Sequence, residues 1–348
     1  MMNVPLLIAG PCAAESEEQL MTTALLLHNQ LKETDFSLAY FRAGVWKPRS
    51  EPTSFKGAGK KALPWLQKIQ QEFDFKVCVE VAKPEHIDYC EQYDIRSVWI
   101  GSRTTVNPFL VEELAEAAKG RDLTVMVKNP VIPDLKLWIG AITRFLDAGI
   151  SDVLAIHRGF PDANENVFRN APIWEMPIEL KVHFPEMPLV CDVSHIAGDR
   201  TLLPQISQVA LDFGFDGLMI ETHVDPAAAL SDAKQQITPE DLLALLKSLN
   251  FKQPTSSPAE ELLRKQRTLI QHIDIQISKL FKKRMEVVDV IAKIKADYNI
   301  PIVHAKQFNK IMEIYFENSL PDDDFQTFLN QYLESLHQCS IQRQRKNE

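Results

Sequence analysis

The chain has 348 residues, 45% hydrophobic and 24% charged, a globular balance with room for two domains or for a large barrel and a small partner domain. A formal net charge of −9 argues against nucleic acid or an anionic membrane as partner of the whole surface. Five scattered cysteines, no apolar run of membrane-spanning length and no basic-then-apolar N-terminus set the expectation of a reducing, cytoplasmic location without a leader.

From the N-terminus, short apolar runs alternate with helical segments. The runs are Leu6–Ala9, Ser37–Phe41, Lys76–Val81, Ser97–Ile100, Leu123–Val127, Asp152–Ile156, Leu189–Asp192 and Gly217–Glu221. They are rich in Val, Ile and Leu, as parallel strands buried on both faces are. Amphipathic helices are predicted at Glu17–Leu31, Pro108–Ala118, Leu135–Ala148 and Thr201–Phe213. Eight such units in about 250 residues match an α/β TIM (β/α)8 barrel. A doubly wound sheet is the alternative, but no Gly-rich nucleotide loop is present.

After Leu249 the texture changes. Two prolines and a Ser/Thr cluster in NFKQPTSSPA read as a linker at 251–258, between a barrel at 1–250 and a helical domain at 259–348. Apolar residues then recur at helical spacing from Leu262 through Ile294. One helix of roughly 35 residues is too long to stand alone in water and needs partners. Two shorter helices are expected near Lys306–Ser319 and Asp323–Arg343, completing a small all-α three-helix domain.

Barrel chemistry sits where strands end. Arg42, Lys47, Arg49, Arg103, Lys128 and Arg158 all follow strands in an otherwise acidic protein. Crowded cations need anions, and guanidinium forks suit phosphate and carboxylate. Cys12, His195, Glu221 and Asp232 also follow strands and offer S, N and O ligands to one divalent ion. Any one of them alone would read as structural; the set at one barrel end favours a metal. His157 and His223 are rival ligands. Lys128 has a rival meaning as a Schiff-base lysine. Cys78 and Cys191 lie inside strands and read as core, and Cys90 and Cys339 receive no role.

The segments IAGPCAAES, RAGVWKPRS, WIGSR, VKNP, HRG, CDVSHIAGDR, GLMIETHVDP and SDAKQQITPE, in that order from Pro5 to Leu249, resemble the short (type I-beta-like) 3-deoxy-D-arabino-heptulosonate 7-phosphate (DAHP) synthases. The resemblance implies metal ligation by Cys12, His195, Glu221 and Asp232. It implies a phosphoenolpyruvate site of Arg42, Lys47, Arg103, Lys128 and Arg158. Lys47, Pro48, Arg49 and Ser50 would hold erythrose 4-phosphate, with serine where the family has threonine. Mn²⁺ is the first choice of metal, with Fe²⁺, Co²⁺ or Zn²⁺ as alternatives. C3 of phosphoenolpyruvate would attack the aldehyde, with Lys47 or a water on the metal as proton donor. Octulosonate-phosphate synthases share the barrel and the chemistry but lack Lys-Pro-Arg.

The tail segment RTLIQHIDIQISKLFKKRMEVVDVIAKIK and the later SIQRQ resemble the all-helical (type II) chorismate mutases, including Asp274 seven residues after the first Arg. The resemblance implies that Lys295 and Gln344 contact the breaking ether oxygen, the catalytic task of that reaction. Arg284 and a partner chain's Arg267 would hold the carboxylates, with Ser340 in the same site. It also implies a homodimer through the long helix. His304, Gln307 and Phe308 stand where that family has Asp, Arg and Glu, so the usual contact to the ring hydroxyl is missing. Two readings follow: a bifunctional enzyme restrained by prephenate or chorismate, or a synthase whose tail only dimerises and binds an effector. The substrates are small molecules on both.

Overall fold

The structure is a computed structural model and describes residues 5–47, 53, 55–162, 165, 167–251, 257–302 and 323–345. The chain divides into two compact units, 1–254 and 255–348.

In the first unit eight parallel strands close into a barrel in chain order. They are β1 (Leu6–Gly10), β2 (Leu38–Ala43), β3 (Val77–Val81), β4 (Ser97–Ile100), β5 (Thr124–Lys128), β6 (Asp152–His157), β7 (Leu189–Asp192) and β8 (Gly217–Glu221). Closure is made by β1 against β8, in register from Leu6 beside Gly217 to Gly10 beside Glu221. Helices between the strands include α1 (Glu17–Leu31), α2 (Leu63–Phe73), α3 (Pro84–Gln92), α4 (Ser102–Thr105), α5 (Pro108–Ala118), α6 (Leu135–Asp147), α7 (Glu175–His183), α8 (Val193–Ala197), α9 (Leu203–Asp212) and α10 (Pro239–Ser248). Their starts are written locally: Ser16 caps α1 by accepting from Gln19 N, Asp134 caps α6, and Thr238 with Asp241 forms a capping box on α10.

Strand residues alternate between two cores. One core lies between sheet and helices and includes Leu7, Phe41, Val79, Val98, Val125, Ala155 and Ile220. The other is built from strand residues alone and fills the barrel: Ile8, Tyr40, Cys78, Trp99, Met126, Leu154, Ile156, Val190 and Met219. Cys78 and Cys191 are buried, as expected of core residues.

Strand ends differ from the sequence reading in a way that matters. β2 runs to Ala43 and β5 to Lys128, so Arg42 and Lys128 are inward-facing strand residues rather than loop residues. Pairing with the neighbouring strands continues through them, Arg42 beside Cys78 and Lys128 beside Ile156, and fixes their backbones.

In the second unit the long helix spans Ser257–Asp297, 41 residues, beginning inside the expected linker. The last helix spans Asp323–Arg345. They meet through Phe281 and Tyr332, with ring centroids 5.8 Å apart, and through a two-pronged ion pair of Arg343 with Asp289 at 2.8 and 3.0 Å. The helix expected near Lys306–Ser319 lies outside the described residues, as do His304, Gln307 and Phe308. Among the described residues no helix is long and apolar enough to cross a membrane.

Candidate active site

Arg42, Lys128, Asp192 and Glu221 each lie two residues beyond an interior residue (Tyr40, Met126, Val190 and Met219). Period-two alternation therefore stacks a charged layer on the apolar filling of the barrel. Trp99 is its floor: the Arg42 guanidinium carbon is 5.1 Å and Lys128 Nζ 5.6 Å from its ring centroid.

The charges in this layer are paired. Arg42 Nη2 lies 3.0 Å from Glu221 Oε1, and Lys128 Nζ 2.6 Å from Asp192 Oδ2. Asp192 Oδ1 meets His195 Nδ1 at 2.9 Å. A carboxylate can only accept, so Nδ1 carries the proton and Nε2 keeps its lone pair, 3.7 Å from Glu221 Oε1. Burial works to raise the Asp192 carboxyl, but its interaction with His195, the Lys128 charge and the hydrogen bond from His195 outweigh it and hold it well below the usual range. Burial holds His195 below its ordinary value.

Cys12 stands at the rim beside this layer. Gly10 ends β1 at φ +140°, and a Cβ there would meet the Arg42 carbonyl oxygen at 2.3 Å. Glycine is what lets the chain turn there against β2. Cys12 N donates to Gln236 Oε1 at 3.0 Å. Its thiol donates to Asp232 Oδ2 at 3.1 Å and receives Lys47 Nζ at 2.7 Å. Burial, and then the Glu221 charge, push the thiol up to about 12.

Ligand atoms of Cys12, Glu221 and Asp232 all lie within 4.8 Å of one another. A thiol and two carboxylates, with an imidazole lone pair beside Glu221, form a donor set that fits a divalent transition ion. Burial works to raise the Asp232 carboxyl, but His195 and Arg169 hold it lower.

Of the other predicted cations, Arg158 is half-buried and donates from Nη1 to Asn170 Oδ1 at 2.7 Å. Burial, with the charges of Arg169 and Arg103 added, lowers it to about 10 against the pull of Asp192. Arg103 is on α4 with its side chain exposed. Two buried N–H groups of Arg42, Nε and Nη1, have no partner among the described atoms. Unmatched buried donors on a cation are suited to an anion. Pro48, Arg49 and Ser50 lie outside the described residues.

The two rival histidines are used elsewhere. His157 faces away from the barrel axis among Trp138, Phe160, Trp174 and Phe215, with Nε2 2.6 Å from the Pro172 carbonyl oxygen. His223 Nδ1 accepts from Asp225 N, and Nε2 lies 3.6 Å from Glu15. Lys128 is bound in its ion pair, which argues against the Schiff-base reading.

Sequence reasoning gave no role to Trp99, Arg169, Asn170 or Gln235. Trp99 could have been found by the two-residue phase that links it to the strand ends. Arg169 and Asn170 sit far along the loop after β6, where no periodicity points to them.

In the helical unit Arg284 Nη1 donates to Ser340 Oγ at 2.7 Å, and Ser340 Oγ to Leu336 O at 2.6 Å. Lys295 Nζ donates to Ile302 O. Gln344 is buried with Oε1 unpartnered among the described atoms. Burial and the Arg284 and Lys295 charges lower His337, which marks it as their neighbour. Arg267 is exposed. It lies 17 residues before Arg284 on one helix, about 25 Å away at 1.5 Å per residue.

A family model described as the DAHP synthetase I family matches residues 3–254. The chain belongs to that family. A second model, chorismate mutase type II, matches residues 266–345, so a segment of the synthase family is followed in one chain by a segment matching the mutase family. Phospho-2-dehydro-3-deoxyheptonate aldolase of Thermotoga maritima is 28% identical over 232 residues, 66% of this chain and 64% of that protein. The chain thus spans less than two thirds of that relative. 2-Dehydro-3-deoxyphosphooctonate aldolase of Variovorax paradoxus is 30% identical over 267 residues, 70% of this chain and 88% of its own. The crystal structure of the Thermotoga maritima DAHP synthase superposes with a TM-score of 0.60 at 26% identity, covering 70% of this chain and 67% of that one.

Proposed function

We propose that the barrel condenses phosphoenolpyruvate with erythrose 4-phosphate to DAHP and phosphate, and that the helical unit rearranges chorismate to prephenate. The observation that carries the first activity is the charged layer over Trp99, with unmatched Arg42 donors beside the Cys12, Glu221 and Asp232 donor set.

Arg42, Lys128, Arg103 and Arg158 bind and orient the carboxylate and phosphate of phosphoenolpyruvate. Lys47, with Pro48, Arg49 and Ser50, receives the sugar phosphate. A divalent ion, Mn²⁺ first among candidates, held by Cys12, His195, Glu221 and Asp232, would supply polarisation of the aldehyde carbonyl. C3 of phosphoenolpyruvate bonds to the aldehyde carbon, and Lys47 donates a proton to the new alkoxide. Water adds at C2, and the C–O bond breaks to release phosphate. The apolar floor of Trp99 and Met126 keeps bulk water from below.

For the mutase, Lys295 and Gln344 face the ether oxygen as charge develops there. Arg284, with Ser340 at its side, binds one carboxylate. Arg267 is too far along its own helix to join it, which supports a homodimer in which the partner chain's Arg267 completes the site. Leu269, Ile273, Leu280, Val287 and Val290 on that helix are exposed, the surface a partner helix would cover. Feedback by prephenate or chorismate on the barrel follows if either ligand binds two states of the chain unequally. The setting is cytoplasmic on this reading.

A second reading, octulosonate-phosphate synthesis, is favoured by the Variovorax paradoxus match, whereas Lys47-Pro48-Arg49 and the mutase fusion favour DAHP. The deciding experiment assays one purified sample three ways: phosphoenolpyruvate with erythrose 4-phosphate, phosphoenolpyruvate with arabinose 5-phosphate, and chorismate alone. Turnover with arabinose 5-phosphate in place of erythrose 4-phosphate would move the barrel to the second reading. DAHP formation without chorismate consumption would leave the tail as an effector-binding module.

A further inference from the structure

Arg169 lies on the loop between β6 and α7, remote in sequence from the donor set, yet its Nη1 reaches two acceptors there. It donates to Asp232 Oδ1 at 3.0 Å and to Gln235 Oε1 at 2.7 Å. Gln235 Nε2 in turn donates to Glu221 Oε2 at 2.8 Å. One guanidinium nitrogen thus restrains Asp232 directly and Glu221 through one amide.

The same stretch is stitched to α8, which carries His195. Arg169 N donates to Ala197 O at 3.3 Å, Asn170 N to Ile196 O at 3.2 Å, and Asn170 Nδ2 to His195 O at 2.6 Å. The approach is so close that a Cβ on Gly198, at φ +69°, would lie 2.3 Å from Arg169 Cβ. Asp232 itself sits at φ +51°, a left-handed conformation uncommon for a residue other than glycine.

We propose that Arg169 is a positioning residue for the divalent-ion site: it takes Asp232 Oδ1, so that Oδ2 faces Cys12, and it steadies Glu221 through Gln235. The proposal rests on the metal reading given above. It makes a prediction opposite in sign to a plain counter-charge. A cation beside a cation site repels the ion, so removing an arginine that only neutralised Asp232 would tighten binding. Removing one that orients the ligands loosens it, typically by 10- to 100-fold.

The test is Mn²⁺ binding to the full chain, read from the free-ion electron paramagnetic resonance signal and needing no turnover. Arg169 is 45% exposed, so its truncation leaves the core in place. Arg169→Ala is expected to bind Mn²⁺ about 10- to 100-fold more weakly than the unaltered chain. Arg169→Lys, which can also reach two acceptors from one nitrogen, recovers most of that loss. Binding by Arg169→Ala that is unchanged or tighter overturns the proposal while leaving the metal reading intact. An unaltered chain that binds no Mn²⁺ overturns both.

Discussion

Lys128 Nζ lies 2.6 Å from Asp192 Oδ2, and both side chains are buried. Because Asp192 also holds His195, this pair joins the cationic half of the barrel mouth to the donor set. Asp192→Ala would leave Lys128 charged and unpaired in the interior, at a cost of about 3–5 kcal/mol. Chemical denaturation should show that loss, and DAHP formation should fall with it. Cyanoborohydride added with the aldehyde substrate, erythrose 4-phosphate, should trap no adduct on Lys128, since an ion-paired ammonium forms no imine; covalent trapping at Lys128 would reverse this assignment.

Metal removal gives a second expectation. A chelator should abolish DAHP formation and Mn²⁺ should restore it, whereas chorismate turnover, which uses none of the donor set, should continue throughout. Cys12→Ala should behave as permanently chelated. Full synthase activity in either condition would remove the metal role.

Arg284→Ala should cripple chorismate turnover while DAHP synthesis without effector is spared. Loss of a charged partner to a bound carboxylate costs about 2–5 kcal/mol. That corresponds to a drop of about 30-fold to several-thousand-fold in kcat/KM. The same substitution should blunt inhibition of DAHP synthesis by prephenate. Mutase kinetics that do not change would show that Arg284 and Ser340 are not the substrate site.

The long helix gives a prediction about assembly. Leu280 is 66% exposed on it. A Leu280→Glu chain should elute and scatter as a monomer and lose chorismate turnover, because Arg267 then has no neighbouring Arg284 to complete. DAHP formation should persist. A monomeric unaltered chain would remove the need for the partner's arginine.

His157 predicts how stability depends on pH. Burial lowers its imidazole to about 3, while the unfolded chain titrates near the ordinary 6.5. The unfolded state therefore binds the extra proton first. This contribution is complete above about 6.5 and is lost as pH falls towards about 3, by up to roughly 1.4 kcal/mol per pH unit. Denaturation midpoints of a His157→Gln protein should fall less steeply between pH 6.5 and 5 than those of the unaltered chain. Parallel slopes would count against it.

The eight strands were legible because parallel strands buried on both faces must be continuous apolar runs, and Leu189–Asp192 and Gly217–Glu221 appear at their predicted bounds. The charged ends were less legible. Arg42 and Lys128 break the apolar run, so a hydrophobicity reading places them in loops, although pairing carries β2 and β5 through them. Cys12, Glu221 and Asp232 were suggested by residue type at strand ends and are adjacent in space. Arg169 could not have been reached this way: its reach to Asp232 depends on how a loop crosses Gly198, a three-dimensional event without a local signature.

The register of β1 against β8 has a consequence for the order in which this protein comes into being. Leu6 beside Gly217 is a contact between opposite ends of the unit, and Gly10 beside Glu221 brings Cys12 to its carboxylate neighbours in the same event. Such pairing pays the largest loop-closure entropy and is slow to form. A nascent barrel with seven strands in place would already hold Lys128 against Asp192, yet the thiol would still be apart from Glu221 and Asp232. The cluster of Cys12, Glu221 and Asp232 is therefore assembled late and in one step, and during refolding its completion marks the moment the sheet closes.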